Sequence, residues 1–143
     1  MFKKITANLM VDNMDETLDL FQQVLGFDLV LGVPENSEQI VTARGGDKPL
    51  GFAIIRRDDV DLMLQSRQSL SKELPQFADR PLGASATLYI EVADVRKLYE
   101  EIKGKVTIIK DLHTTFYGMQ EFYMRDGNGY VLTFAGKPEE SAS

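Results

Sequence analysis

The sequence predicts an α+β fold built from two copies of one strand-helix-strand-strand-strand unit. Three observations carry that prediction. An alternating apolar strand followed by a striped helix occurs twice, about eighty residues apart. After each helix come only strand-like runs, with no further long helix. The chain then closes on "YGMQEFYMRDGNGYVLTFAG" (117–136), two alternating runs about an Asp-Gly-Asn-Gly turn.

In the first copy, "ITANLMV" (5–11) puts Ile5, Ala7, Leu9 and Val11 on one face and Thr6, Asn8 and Met10 on the other, the signature of a half-buried strand. Asn13 is an N-cap with Glu16 three residues on, and Asp15 and Glu16 occupy the first turn, where the helix dipole favours anions. Met14, Leu18, Phe21 and Leu25 form the apolar stripe, and Gly26 stops the helix. Strands follow at 27–33, 51–57 and 60–66, with an extended piece around 38–44. Residues 67–83 read as a connector in which Ser71–Leu74 form a turn of helix and Pro75, Pro81 and Gly83 break regularity.

The second copy opens with "ATLYIEV" (86–92), where Leu88, Ile90 and Val92 share one face and Thr87, Tyr89 and Glu91 the other. Asp94 caps a helix striped by Val95, Leu98 and Ile102, which Gly104 ends. Strands are predicted at 105–112, 118–125 and 130–135. The modules span about 4–66 and 84–136 of a single 1–143 domain, and the polar tail 137–143 reads as flexible.

The chain contains no cysteine, which excludes disulfides, thiolate metal sites and cysteine nucleophiles and is compatible with a reducing, cytoplasmic compartment. No hydrophobic run approaches a membrane span, and the amino-terminal residues lack a leader pattern, so a soluble, untargeted protein is expected. A net charge of -6, with 16 Lys and Arg scattered along the chain, argues against nucleic acid. Acidity of this size serves solubility and also suits a cationic ligand.

The paired modules resemble the vicinal oxygen chelate superfamily, home to glyoxalase I, extradiol dioxygenases, fosfomycin-resistance enzymes and bleomycin-resistance proteins. "VDNMDETLDLFQQVLGF" (11–27) is similar to that family's opening signature and "GMQEFYMRDGNGYVLTF" (118–134) to its closing hairpin, and the likeness runs from about residue 4 to 135. The resemblance implies a curved mixed sheet around a concave groove, with the helices on the convex side, and homodimers that share their concave surfaces. Metal-dependent members hold one divalent ion with His, Gln or Glu from four strands. Those places correspond here to Thr6, Met63, Thr87 and Thr133, none of them a usual ligand, so neither metal nor other cofactor is expected. In character the chain is closest to the metal-free bleomycin-resistance branch.

If the helices lie outside, period-two alternation sends Asn8, Met10, Asp61, Met63, Gln65, Thr87, Tyr89, Glu91, Glu121, Tyr123 and Arg125 inward as candidate ligand contacts. Val131 and Thr133 join them from the last strand. Asp61, Glu91 and Glu121 read either as a converging acidic set or as separate groups, with Glu91 paired to Arg125 and Asp61 solvated. His113, the single histidine, falls in a predicted loop as a hydrogen-bonded surface group or a general base. "ARGGDKPLG" (43–51) reads as a surface loop or a flap over a pocket. The expected function is metal-independent sequestration of a small, bulky, aromatic or cationic molecule, with no catalytic residue assigned. The alternatives are a glyoxalase-type lyase, isomerase or dioxygenase with non-standard metal ligands, and a dimerisation module without ligand.

Overall fold

The computed structural model describes residues 1–138, so residues 139–143 of the predicted tail lie outside them. The chain divides into two compact units, Met1–Pro81 and a second that begins at Leu82. Each carries one four-stranded mixed sheet.

In the first unit the strands are β1 (Asn8–Val11), β2 (Asp28–Pro34), β3 (Leu50–Arg57) and β4 (Val60–Ser66), in the order β1-β4-β3-β2. β1 runs parallel to β4 and the remaining pairs are antiparallel. Helix α1 (Met14–Asp19) starts where the sequence places it, with the Asn13 side chain accepting from Glu16 N–H at 3.0 Å. It then widens into one π-helical segment, Leu20–Val24, in which Leu25 N–H donates to Leu20 O at 3.0 Å. Gly26, at φ 73°, releases the chain into β2. The stripe Met14, Leu18, Phe21 and Leu25 is buried together with Leu9, Val11, Ala53, Ile55, Leu62 and Leu64, which share one face of the sheet. The 38–44 piece contributes only an isolated bridge between Val41 and Gly32.

The connector differs from the sequence reading. A full helix α2 (Arg67–Glu73) follows β4 directly, capped by Ser66 Oγ, and a 3-10 turn covers Pro75–Phe77. Residues 67–70 carry no strong stripe, and tertiary packing of Leu70 secures them. The Arg67 guanidinium donates to Asp12 at 2.8 Å and to the carbonyls of Ala78 and Arg80 at 3.1 and 2.7 Å, which fastens the end of the connector to the first unit.

In the second unit β5 (Thr87–Glu91), β6 (Thr107–Thr114), β7 (Gln120–Arg125) and β8 (Val131–Gly136) take the order β5-β8-β7-β6. Helix α3 (Val95–Ile102) is capped by Asp94, which accepts from Lys97 N–H at 3.1 Å. It packs on β7 and β8, where Tyr99 meets Phe122 edge-on at 5.1 Å and Phe122 stacks on Phe134 at 5.2 Å. The Asp-Gly-Asn-Gly turn is organised by buried Asp126, whose Oδ1 accepts from the backbone N–H of Asn128 and Tyr130 at 3.0 and 2.8 Å. Its Oδ2 accepts from the Asn128 side chain at 3.1 Å. The start of the unit leans on this turn: a Cβ on Gly83 (φ 76°) would lie 2.5 Å from the Gly129 carbonyl carbon.

Asp126→Ala removes the side-chain acceptor of two backbone N–H groups in the turn, that of Tyr130 buried and that of Asn128 part-buried. It should lower unfolding stability by about 2–3 kcal/mol in urea titration without changing the secondary structure seen by circular dichroism.

Candidate functional site

Each sheet has one face packed by its α1 or α3 helix and a second face that carries the candidate residues. In the first unit the register sets Asn8 beside Met63, Met10 beside Gln65, and Phe52, Ile54 and Arg56 opposite Gln65, Met63 and Asp61. The face is therefore half apolar and half polar, and Phe52 and Ile54 from β3 belong to it although the sequence reading did not include them. Met10 and Gln65 are buried toward the end where α2 packs. There Gln65 accepts from Asn8 Nδ2 and donates to Ser69 Oγ, both at 2.9 Å, so these two amides satisfy each other. Thr6 lies ahead of β1, outside any strand.

Asp61 is not solvated as expected. Arg56, directly opposite it across the β3-β4 hairpin, donates at 2.6 and 3.0 Å, and Lys4 donates to the same carboxylate. Those two hydrogen-bonded cations, Arg56 first, hold the Asp61 carboxyl well below the usual carboxylate range. Elsewhere in this unit the 43–51 segment lines an open cleft of about 1170 Å³ with α1. Arg44 spans it to Asp19 at 3.0 Å and Gln22 at 3.1 Å, which fixes the segment to the helix.

In the second unit the register builds three cross-strand rows on the face away from α3. Thr87, Val131, Arg125 and Thr107 form one; Tyr89, Thr133, Tyr123 and Lys110 the next; Glu91, Ala135, Glu121 and His113 the last. Glu91 and Arg125 stand two rows apart, so the expected ion pair between them does not form. His113 lies in β6, not in a loop. Two register irregularities in β6 break the period of two, which brings Lys110 and His113 to the same face despite their odd spacing. His113 Nδ1 sits 2.8 Å from Asp111 O, a contact in which the carbonyl accepts and Nδ1–H donates. Its ring meets Tyr123 edge-on at 5.3 Å.

Glu121 is the centre of this face and is 1% exposed. Its Oε2 accepts from Tyr89 Oη at 2.9 Å and from Tyr117 Oη at 2.7 Å, while Tyr123 Oη lies 3.5 Å from Oε1. Tyr89 reaches from β5 across β8, whose residues in the Tyr89 and Glu121 rows are the small Thr133 and Ala135. Desolvation, and then the hydrogen bond to Glu121, push the Tyr89 phenol up to about 12. The hydrogen bond to Glu121 chiefly raises Tyr117 as well. No ion pair reaches Glu121 among the described residues, nor do three His, Cys, Asp or Glu side chains converge there or elsewhere.

The glyoxalase/bleomycin resistance protein/dioxygenase superfamily model matches residues 5–134. The chain belongs to that superfamily. Solved structures agree on the fold. A protein of unknown function from Agrobacterium tumefaciens is 16% identical, with a TM-score of 0.73 over 96% of this chain and 95% of its own. TioX from Micromonospora sp. ML1 is 17% identical, with a TM-score of 0.67 over 94% and 98%. A superfamily member from Nocardioides is 16% identical, with a TM-score of 0.66 over 96% and 85%. Among curated proteins none matches. No helix of the described residues is long and apolar enough to cross a membrane.

The sequence resemblance assigns the metal-ligand places of metal-dependent superfamily members to Thr6, Met63, Thr87 and Thr133. Three neutral hydroxyls and a thioether do not fit a divalent ion, which needs carboxylate or imidazole donors to offset its dehydration. Thr133 sits in register between Tyr89 and Tyr123, and the nearest carboxylate in the sheet, Glu121, is already bonded to tyrosines.

Two titrations follow. Because Asp61 is depressed in the fold, its contribution is present above its ordinary value of 3.8 and is lost as pH falls below it. Asp61→Asn should therefore be less stable than wild type at pH 7, with the gap in Tm narrowing below about pH 4. Tyr89 is raised, so its contribution is present below its ordinary value of 10.0 and is lost as pH rises toward 12. Tyr89→Phe should lose less stability between pH 10 and 12 than wild type, as read by thermal melts alongside tyrosinate absorbance.

Proposed function

We propose that the protein binds a small planar organic cation on the open face of its second unit, without a metal, and holds it rather than converting it. One observation carries this reading. Glu121 is a buried carboxylate whose bonded partners are neutral hydroxyls, and a buried anion is stabilised most by an opposite charge brought into contact with it. The surroundings suit a planar guest: Tyr89 is half exposed, Tyr123 is partly exposed, and Glu91 stands one Ala135 away in the same row. A cation over a tyrosine ring gains on the order of 1 kcal/mol, more when desolvated. Lys110 shows the geometry, with its Nζ 5.8 Å from the Tyr123 ring centroid. Superfamily membership supports the reading at the level of scaffold, since the bleomycin-resistance branch resembled by the sequence binds its ligands without chemistry.

Calorimetry with benzamidinium and N-methylpyridinium tests the proposal. Wild type should bind at least one of them, and Glu121→Gln should weaken that affinity about tenfold or more with an unchanged circular dichroism spectrum. Unchanged affinity in Glu121→Gln would overturn the assignment.

A further inference from the structure

The three tyrosines around Glu121 are not equivalent. Tyr89 and Tyr123 are carried by hydrogen-bonded strands, β5 at the edge of the sheet and β7 inside it. Tyr117 comes from the tip of the β6-β7 hairpin, 55% exposed, beside Phe116, which is wholly exposed and meets it edge-on at 5.0 Å. The tip is held by few bonds: Thr115 N–H to Met119 O at 2.8 Å, Gly118 N–H to Thr115 O at 3.0 Å, and Met119 N–H to Thr115 Oγ1 at 3.1 Å. Gly118, at φ 87°, lets the chain turn there. Yet this exposed tip makes the shortest of the three contacts to the most buried carboxylate of the face.

We infer that Tyr117 is an exchangeable latch on Glu121, and that the ligand of this site is a cation bearing N–H donors, such as an amidinium or a primary ammonium, which takes over Tyr117's place at Oε2. This rests on the binding reading above and specifies its chemistry. Oε1 has only the 3.5 Å contact with Tyr123, whereas Oε2 already accepts two hydroxyl protons, so a donor that spans both oxygens must displace a hydroxyl at Oε2. Displacing Tyr89 disturbs a strand residue, whereas displacing Tyr117 opens a hairpin tip with little buried surface. The charged N–H···O bond that forms is stronger than the neutral phenol bond that breaks. A quaternary ammonium has no such proton to offer and rests on the tyrosine rings with the latch shut. The closed latch lowers apparent affinity in proportion to the open fraction, and removing its hydroxyl removes that penalty.

The test compares benzamidinium with phenyltrimethylammonium on wild type, Tyr117→Phe and Glu121→Gln by calorimetry. Tyr117→Phe should bind benzamidinium about three- to tenfold more tightly than wild type and phenyltrimethylammonium equally well. Glu121→Gln should lose the benzamidinium preference. If wild type binds benzamidinium and Tyr117→Phe binds it equally or more weakly, the latch is overturned while the binding reading stands. The same holds if both probes tighten alike. If no protein binds either probe, the binding reading falls and the latch falls with it.

Discussion

A carboxylate placed out of water needs its lone pairs occupied, and the open face of the second unit is arranged around that demand at Glu121. Side chains from three places meet it: Tyr89 from β5, Tyr123 from β7, the strand of Glu121 itself, and Tyr117 from the hairpin tip. The small residues between them matter equally. Ala135 and Thr133 of β8 leave the space through which the Tyr89 hydroxyl crosses a whole strand to reach its acceptor. The opposite side of the same sheet supplies the rigidity. Phe122, Met124, Leu132 and Phe134 pack under α3, so the strand that presents Glu121 outward is anchored by its alternate residues inward.

The first unit resolves its own buried charge differently. Asp61 is neutralised by Arg56 and Lys4, and the rest of its open face is Met63, Phe52, Ile54 and Met10 with the mutually bonded amides of Asn8 and Gln65. The contrast between the two carboxylates is the physical reason for placing the ligand's charge in the second unit. One already has cations, and the other has hydroxyls, which orient a carboxylate without cancelling its charge.

Most of the fold was legible in the sequence because it is written in local chemistry. The caps Asn13 and Asp94, the stripe from Met14 to Leu25 and the Asp126 turn each reflect interactions within a few residues of one another. The two-fold repeat and the alternation of β4, β5, β7 and β8 fixed which side chains share a face. The site was legible only in part. Tyr89, Glu121 and Tyr123 follow from the period of two, but their convergence depends on strand order and on Ala135, which periodicity does not specify. His113 was misplaced because bulges in β6 erase the alternation that would have revealed it. Tyr117 lies in a turn, where no period operates. Arg56 was within reach of the sequence: a tight turn at Asp58-Asp59 in "RRDDVD" sets Arg56 directly opposite Asp61, and hairpin register alone would have paired them.

The superfamily scaffold explains why the carboxylate sits where it does. A metal-binding glutamate must keep lone pairs available and aim them at a shared point, and the sequence resemblance assigns the last strand's place for that duty to Thr133. Replacing an ionised ligand with a small hydroxyl frees the centre of the face. The flanking residues in the same row, Tyr89 and Tyr123, are large and can lean into the vacated space. Their hydroxyls then need an acceptor, and Glu121, on the neighbouring strand and in the next row, supplies one. Restoring a glutamate at position 133 would set a second carboxylate between the two tyrosines, close to the first. Without a cation between them, like charges in a site with little water oppose each other. The residues present, Tyr89, Tyr123 and Glu121 about the small Thr133 and Ala135, build an anionic aromatic surface on these strands.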